Sequence, residues 1–185
     1  LTAALTATGA GSKTLTLTGT STAANTLSGA IVDNSGVNLT ALAKTGTGTW
    51  ELGGASTFTG GVTVSDGTLT VKSGASLAAA NDLTLSGGTL NLDHATQTVA
   101  SLAGSGGTIN FGTGHTLTIA QITATSYAGV LAGSGGFTLS GSGGSLTLSG
   151  GSANTYAGNT TINEGTLILA KTPGTAAIAG GTITV

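Results

Sequence analysis

Side chains able to do chemistry are few in this chain and far apart. Asp93 and His94, in "NLDHATQ", are its only adjacent acid and histidine. A nucleophilic triad would need a placed Ser or Cys beside them, and neighbours on a strand point to opposite faces. The pair therefore reads as a polar turn. His115 is the only other histidine, and with no Cys and no spaced carboxylates the two do not form a metal-site signature. The acids Asp33, Glu51, Asp66, Asp82, Asp93 and Glu164 are dispersed. Asp82 and Asp93 could approach across a coil, but no basic residue lies beside them, whereas polysaccharide-cleaving β-helical enzymes cluster acids in a groove. The expectation is a chain with no catalytic residue, no metal site and no cofactor: not an enzyme.

The basic residues Lys13, Lys44, Lys72 and Lys171 occur singly, there is no Arg, and the net charge is −2. Phosphate recognition needs clustered positive charge, so nucleic acid is excluded as a partner. No apolar run approaches the roughly 18 residues of a membrane helix. Glycine-rich "GSGG" segments at 104–107, 133–136 and 141–144 lack the Asp of calcium-binding nonapeptides and the Lys of a phosphate loop, and read as turns. The aromatics Trp50, Phe58, Phe111, Tyr127, Phe137 and Tyr156 could line a sugar-binding strip, but Phe58/Tyr156 and Val37/Phe137 are repeat-equivalent pairs, which favours internal packing. Outward Thr rows, such as Thr14, Thr16 and Thr18 or Thr68 and Thr70, resemble the ranks of an ice-binding solenoid. β-propensity alone accounts for them equally well.

The elements that position these residues repeat. Residues 50–71, "WELGGASTFTGGVTVSDGTLTV", return as 146–169, "LTLSGGSANTYAGNTTINEGTLIL", after a two-residue gap. Trp50 and Leu52 align with Leu146 and Leu148, Phe58 with Tyr156, and Val62 and Val64 with Thr160 and Ile162. Gly67 aligns with Gly165, and Leu69 and Val71 with Leu167 and Leu169. Upstream, "NTLSGAIVDNSGVNL" from Asn25 lies over "TSYAGVLAGSGGFTL" from Thr125, with Ile31 over Leu131 and Val37 over Phe137. "KTLTLTG" from Lys13 lies over "HTLTIAQ" from His115. Downstream, "DLTLSGGTLNL" from Asp82 lies over "TAAIAGGTITV" from Thr175. The unit is about 100 residues of smaller strand–turn modules. The division expected is one solenoid segment, with a partial repeat over 1–25, a full repeat over about 26–125 and a partial repeat over about 126–185. Both ends look cut, with no atypical polar cap.

Charged residues are 5% of the chain and Gly is 34 of 185. Disorder is argued against by the alternation in "LTL", "VTV", "LNL" and "ITV", the period-2 mark of half-buried strands. About one strand occurs per ten residues, and the chain reads as all-β. "SDG" at 65–67 fits either a hairpin turn or a corner between two strands of one coil. Long-range tandem repetition favours the second, a β-solenoid of about eight coils in a rod of roughly 40 Å. The expected inward stack is Trp50, Leu52, Val62, Val64, Leu69, Val71, Leu83, Leu85, Leu90, Leu92, Leu146, Leu148, Ile162, Leu167 and Leu169. The expected corner glycines are Gly67, Gly88, Gly165 and Gly181.

Residues 146–169 also resemble the passenger-associated transport repeat of autotransporters: Leu-x-Leu-x-Gly, an Asn-Thr-Tyr-x-Gly element, then Gly-Thr-Leu. Residues 50–71 are a more divergent copy, with Phe58 for the Tyr and Ser56–Thr57 for Asn-Thr. The resemblance implies a right-handed parallel β-helix in a secreted or surface-displayed bacterial protein, and carries over no catalytic residue. Expected partners are the chain itself, end to end or through flanking repeats, with a host surface or a glycan as a further class. The expected function is an adhesin or passenger stalk; the alternatives are a subunit of an extracellular filament and a glycan- or ice-binding solenoid.

Overall fold

A computed structural model describes residues 2–185. Leucine, valine and threonine alternate through short runs punctuated by glycine, and among the described residues these runs form twenty-one short strands with no helix. Each named strand pairing is parallel. Parallel neighbours cannot be joined by a hairpin, so the chain turns a corner after each strand and returns one coil further along.

Three sheets run along the coil axis. The first contains Lys13–Leu17, Thr40–Lys44, Val62–Val64, Asp82–Leu85 and Ser101–Ala103. A bridge from Gly104 to Tyr127 carries it on through Ala124–Tyr127, Ser145–Gly150 and Thr166–Lys171. The second stacks Asn25–Leu27, Thr49–Leu52, Thr68–Val71, Thr89–Leu92, Thr108–Phe111 and Val130–Gly133. Thr155 N–H, donating to Leu131 O at 2.8 Å, extends it by one coil. The third begins with Leu5–Thr6 and Ile31–Val32 and resumes at Thr96–Val99, Thr116–Ala120, Gly136–Ser140, Thr160–Ile162 and Ile183–Thr184. Eight strands in the first sheet make eight coils. Backbone hydrogen bonds between adjacent coils join residues from 19 apart, as in Ala100 N–H to Asn81 O, to 29 apart, as in Gly48 N–H to Gly19 O.

Side chains alternate inward and outward, and the register stacks like on like. In the second sheet Leu27, Leu52, Val71, Leu92 and Phe111 are successive partners, as are Leu69, Leu90 and Ile109. All of these are buried. Each such side chain contributes about 1.5–3 kcal/mol relative to exposure, and it does so only because a neighbouring coil covers it.

Residues 65–67 are a corner and not a hairpin. They join Val62–Val64 of the first sheet to Thr68–Val71 of the second. Gly67 takes φ +63°, and a Cβ there would lie 2.5 Å from the carbonyl oxygens of Gly46 and Gly48. Among the described residues none other than glycine has positive φ, so Glu164 in the equivalent corner leaves that conformation to Gly165.

Candidate functional site

Of the residues expected in the inward stack, Leu52, Val62, Val64, Leu69, Val71, Leu83, Leu85, Leu90, Leu92, Leu146 and Leu148 are buried. Trp50, Ile162 and Leu167 are half-buried. Trp50 stands in register with the polar Asn25, and its indole Nε1 donates to Thr18 O at 2.9 Å. Leu169 departs from the expectation: it is 54% exposed, because Thr166–Lys171 is the edge strand of its sheet. Gly67, Gly88, Gly165 and Gly181 have φ of +63°, +62°, +83° and +67°.

Chemistry-bearing residues are not brought together. Asp93 is exposed just beyond the strand Thr89–Leu92, with its N–H donating to Val71 O at 2.9 Å, and His94 follows it in a bend. Asp82 accepts from the Ser101 hydroxyl at 2.5 Å. Glu51 pairs with Lys72 at 3.3 Å. Among the described residues no group of three or more His, Asp or Glu is placed to hold a metal ion. His115 Nδ1 lies 2.9 Å from Leu92 O, and a carbonyl can only accept, so Nδ1 carries the proton. Asp33 is also committed locally: burial opposes its charge, but bonds from Thr40 N–H and the Thr59 hydroxyl outweigh it and lower its pKa.

What the structure does build, twice, is a corner. Ser56 and Asn154 are equivalent in the two copies, and both are buried. Ser56 Oγ accepts from Ile31 N–H at 3.1 Å; Asn154 Oδ1 accepts from the equivalent Leu131 N–H at 2.9 Å. Thr57 and Thr155 N–H donate to the carbonyls of Ile31 and Leu131 in turn. Asn154 adds a bond that serine cannot reach, from Nδ2 to Ala177 O at 2.6 Å in the next coil. The ring that follows is buried in both copies, as Phe58 or Tyr156. The Tyr156 hydroxyl lies 2.6 Å from Thr160 Oγ1, where the first copy has Val62. Phe111 and Phe137 meet Tyr156 edge-on, with centroids 6.2 and 5.7 Å away.

The two copies share this geometry but not its place on the rod. Thr49–Leu52 and Thr68–Val71 stack in the second sheet, whereas their equivalents Ser145–Gly150 and Thr166–Lys171 stack in the first. Val62–Val64 lies in the first sheet and its equivalent Thr160–Ile162 in the third. The second copy is thus turned by one sheet around the axis. The upstream matches turn in the same sense, Lys13–Leu17 in the first sheet against Thr116–Ala120 in the third. The downstream match does not: it lays Thr89–Leu92 over Ile183–Thr184, while the order of strands makes Asp82–Leu85 the equivalent of Ile183–Thr184. Val37 and Phe137, aligned in sequence, also differ. Val37 is 83% exposed in the turn closed by the Ser35–Asn38 bridge, and Phe137 is buried in a strand.

Several buried polar groups escape sequence reasoning. Lys44 occupies an inward position between Leu17 and Val64 in the register and is fully buried. Its ammonium donates to the carbonyls of Thr45, Gly46 and Asp66 at 3.1, 2.7 and 3.0 Å. Burial lowers its pKa, partly offset by the Asp66 charge. Lys171 bridges Gly129 O and Ser149 O at 2.9 and 2.8 Å, and burial lowers its pKa as well. Where the third sheet is interrupted, Asn81 and Gln97 replace its ladder: Asn81 binds Gly61 N–H and Phe58 O, and Gln97 binds the N–H and C=O of Leu77. Among the described residues no buried side-chain polar atom lacks a partner. The available signal was position: Lys44 falls where the alternation of "TALAK" calls for a leucine.

Outward positions form polar ranks. Thr49, Thr68, Thr89 and Thr108 are in register on the second sheet, and Thr98, Thr118, Thr138, Thr161 and Thr184 on the third. Thr70, expected outward, is only 7% exposed, with Asn91 Nδ2 donating to its hydroxyl at 3.3 Å.

The model of the passenger-associated-transport-repeat matches residues 42–71 and 142–169. The chain is also 45% identical over 85 residues to the adhesin BmaC autotransporter of Brucella suis biovar 1 (strain 1330). That stretch is 45% of this chain and 2% of the relative, so the chain spans a small part of the protein it matches. No solved structure matches. Among the described residues no helix is long and apolar enough to cross a membrane.

Proposed function

We propose that this chain, which carries two passenger-associated-transport-repeats, is a mechanical segment of a secreted or surface-displayed bacterial β-solenoid. It acts without catalysis, as a stalk or spacer whose backbone ladders run along the rod axis. The observation that carries this reading is the in-register stacking of both repeats: Leu52 on Val71 and Leu148 on Leu169, with a buried bridging side chain, Ser56 or Asn154, tying each coil to the previous one. The similarity to an adhesin supports surface display. A right-handed winding is part of the proposal, supported by the strong preference of parallel crossovers for that hand. So is the division into a partial repeat over 1–25, a whole one over about 26–125 and a partial one over about 126–185.

A second reading, a self-assembling filament, is favoured by the edge strand Thr166–Lys171. Ile168 and Leu169 are 43% and 54% exposed there, and its unpaired backbone groups can template another strand. Flanking repeats of the same protein are the first candidate cover and a second copy of the chain the other. Negative-stain microscopy of the 185-residue chain over a concentration series separates them. Monodisperse rods near roughly 40 Å, about eight spacings of 4.8 Å, support the stalk. Fibres one solenoid wide that lengthen with concentration support the filament and overturn the stalk.

A further inference from the structure

On the third sheet, where coils from Gly114 to Thr161 meet, the solenoid surface sinks into a polar cleft of about 250 Å³. Gly114, Gly135, Gly136 and Gly158 line it, and adjacent coils approach closely at three of them. A Cβ on Gly135 would lie 2.2 Å from His115 O, on Gly136 2.1 Å from Asn159 O, and on Gly158 2.4 Å from the Gly135 carbonyl carbon. Side chains are thus excluded at three adjacent places, and three coils close on one another through bare backbone. The walls are His115, Thr116, Ser134, Thr138, Asn159 and Thr161.

The hydrogen-bonding capacity of these walls is only partly used. His115 Nδ1 is committed to Leu92 O, leaving Nε2 as an acceptor. Asn159 Oδ1 accepts from Thr182 N–H at 2.9 Å, leaving its Nδ2 hydrogens. Thr138 and Thr161 are neighbours in one rank, and their hydroxyls can donate and accept. Asp, Glu, Lys and Arg are absent from the lining, and so is any apolar side chain.

We propose that this cleft binds one ring of a neutral, hydroxyl-rich sugar. Mixed donors and acceptors without formal charge match hydroxyl groups, each of which both donates and accepts. A sulfated or carboxylated glycan would need a cation that the lining lacks. A peptide would need side-chain pockets, and glycine and threonine supply none. The volume lies just under the roughly 300 Å³ at which small-molecule sites usually begin, which suits a single ring. The proposal does not depend on where the chain is displayed.

The test is a titration of the isotope-labelled 185-residue chain, followed by amide NMR. Glucose, galactose, mannose and N-acetylglucosamine are added separately, with a sulfated heparin disaccharide and trialanine as comparators. At least one neutral sugar is expected to give saturable shifts at His115, Thr138 and Asn159. The double variant Thr138→Val with Thr161→Val keeps strand propensity and shape, and should weaken that sugar about tenfold, the loss of two ordinary hydrogen bonds, with the rest of the spectrum in place. If the double variant does not fold, Asn159→Asp is used instead; it replaces the spare donor and should weaken the same sugar. Absence of saturable shifts from every sugar, unchanged affinity in the variant, or tighter binding of the sulfated disaccharide or the peptide would each overturn the proposal.

Discussion

Residues 50–71 and 146–169 are the same motif in two circumstances. In the first copy Leu52 lies in register with Leu27 on one side and Val71 on the other, and Val71 is covered in turn by Leu92. In the second copy Leu148 is covered by Tyr127 and Leu169, but among the described residues no strand pairs the far side of Leu169. Val71 is fully buried and Leu169 is 54% exposed. The same type of residue at the same place in the motif has two fates, so burial here is a property of neighbouring coils and not of the repeat itself. The one-sheet turn between the copies makes a related point. The motif is indifferent to which sheet it occupies.

Breaking the stack should separate the copies most sharply. Leu69→Asp puts an unpaired carboxylate between Trp50 and Leu90, and should cost more than about 3 kcal/mol in denaturant unfolding. Leu148→Asp should behave similarly. Leu169→Asp, on the open edge, should stay within about 0.5 kcal/mol. A Leu69→Asp chain of unchanged stability would remove the inward assignment altogether.

The corner residue should come next. Asn154→Ala strands the buried Leu131 N–H and should cost about 1–3 kcal/mol. Ser56→Ala does the same to Ile31 N–H, but should cost less, since Ser56 makes no counterpart of the Asn154 bond to Ala177 O. Equal losses would mean that the second bond contributes nothing.

The ring and its partner can be exchanged. Phe58→Tyr alone should destabilise by about 1–2 kcal/mol, because its hydroxyl would face Val62. Adding Val62→Thr recreates the pair seen as Tyr156 and Thr160, and should recover most of the loss. A double-mutant cycle reads the coupling directly, and additive losses would refute the equivalence.

The smallest effect is with pH. Burial raises the pKa of Tyr127, and of Tyr156 against the opposing bond to Thr160. The unfolded chain therefore releases phenolic protons first, near pH 10. The stability these groups contribute is complete below that value and is lost as pH rises towards their folded values. Lys44 and Lys171, with lowered pKa, act in the opposite sense: the unfolded chain holds the proton longer, so stability gains as pH approaches about 10.4. The first copy has Phe58 instead of a tyrosine, so alkaline loosening should begin around the second. Tyr127→Phe with Tyr156→Phe should flatten the fall above pH 10 in thermal melts.

Much of the coil was readable from residue order. Alternation in "VTV" and "TLTV" names the inward set, and the long-range match rules out hairpins in favour of stacking. The match of Phe58 with Tyr156 beside Val62 with Thr160 already held the hydroxyl pair, since a buried phenol needs a partner and a phenyl ring does not. Three things were not readable. Lys44 interrupts the apolar alternation, and only the three carbonyls gathered at its corner explain a buried ammonium. Val37 and Phe137 align but diverge, because a local turn at Ser35 and Asn38 lifts one out of its sheet. The turn of one sheet between the copies depends on how many residues each intervening coil spends on its corners, which alternation does not encode.

The most direct test of the claim that neighbours supply stability is amide hydrogen exchange, comparing the two copies within the dilute 185-residue chain. Strands Thr49–Leu52 and Thr68–Val71 should be protected close to the limit of global unfolding, and Thr166–Lys171 should exchange orders of magnitude faster than its equivalent Thr68–Val71. Equal protection of the two equivalent strands at every concentration would contradict the account, because the repeat would then carry its stability within itself.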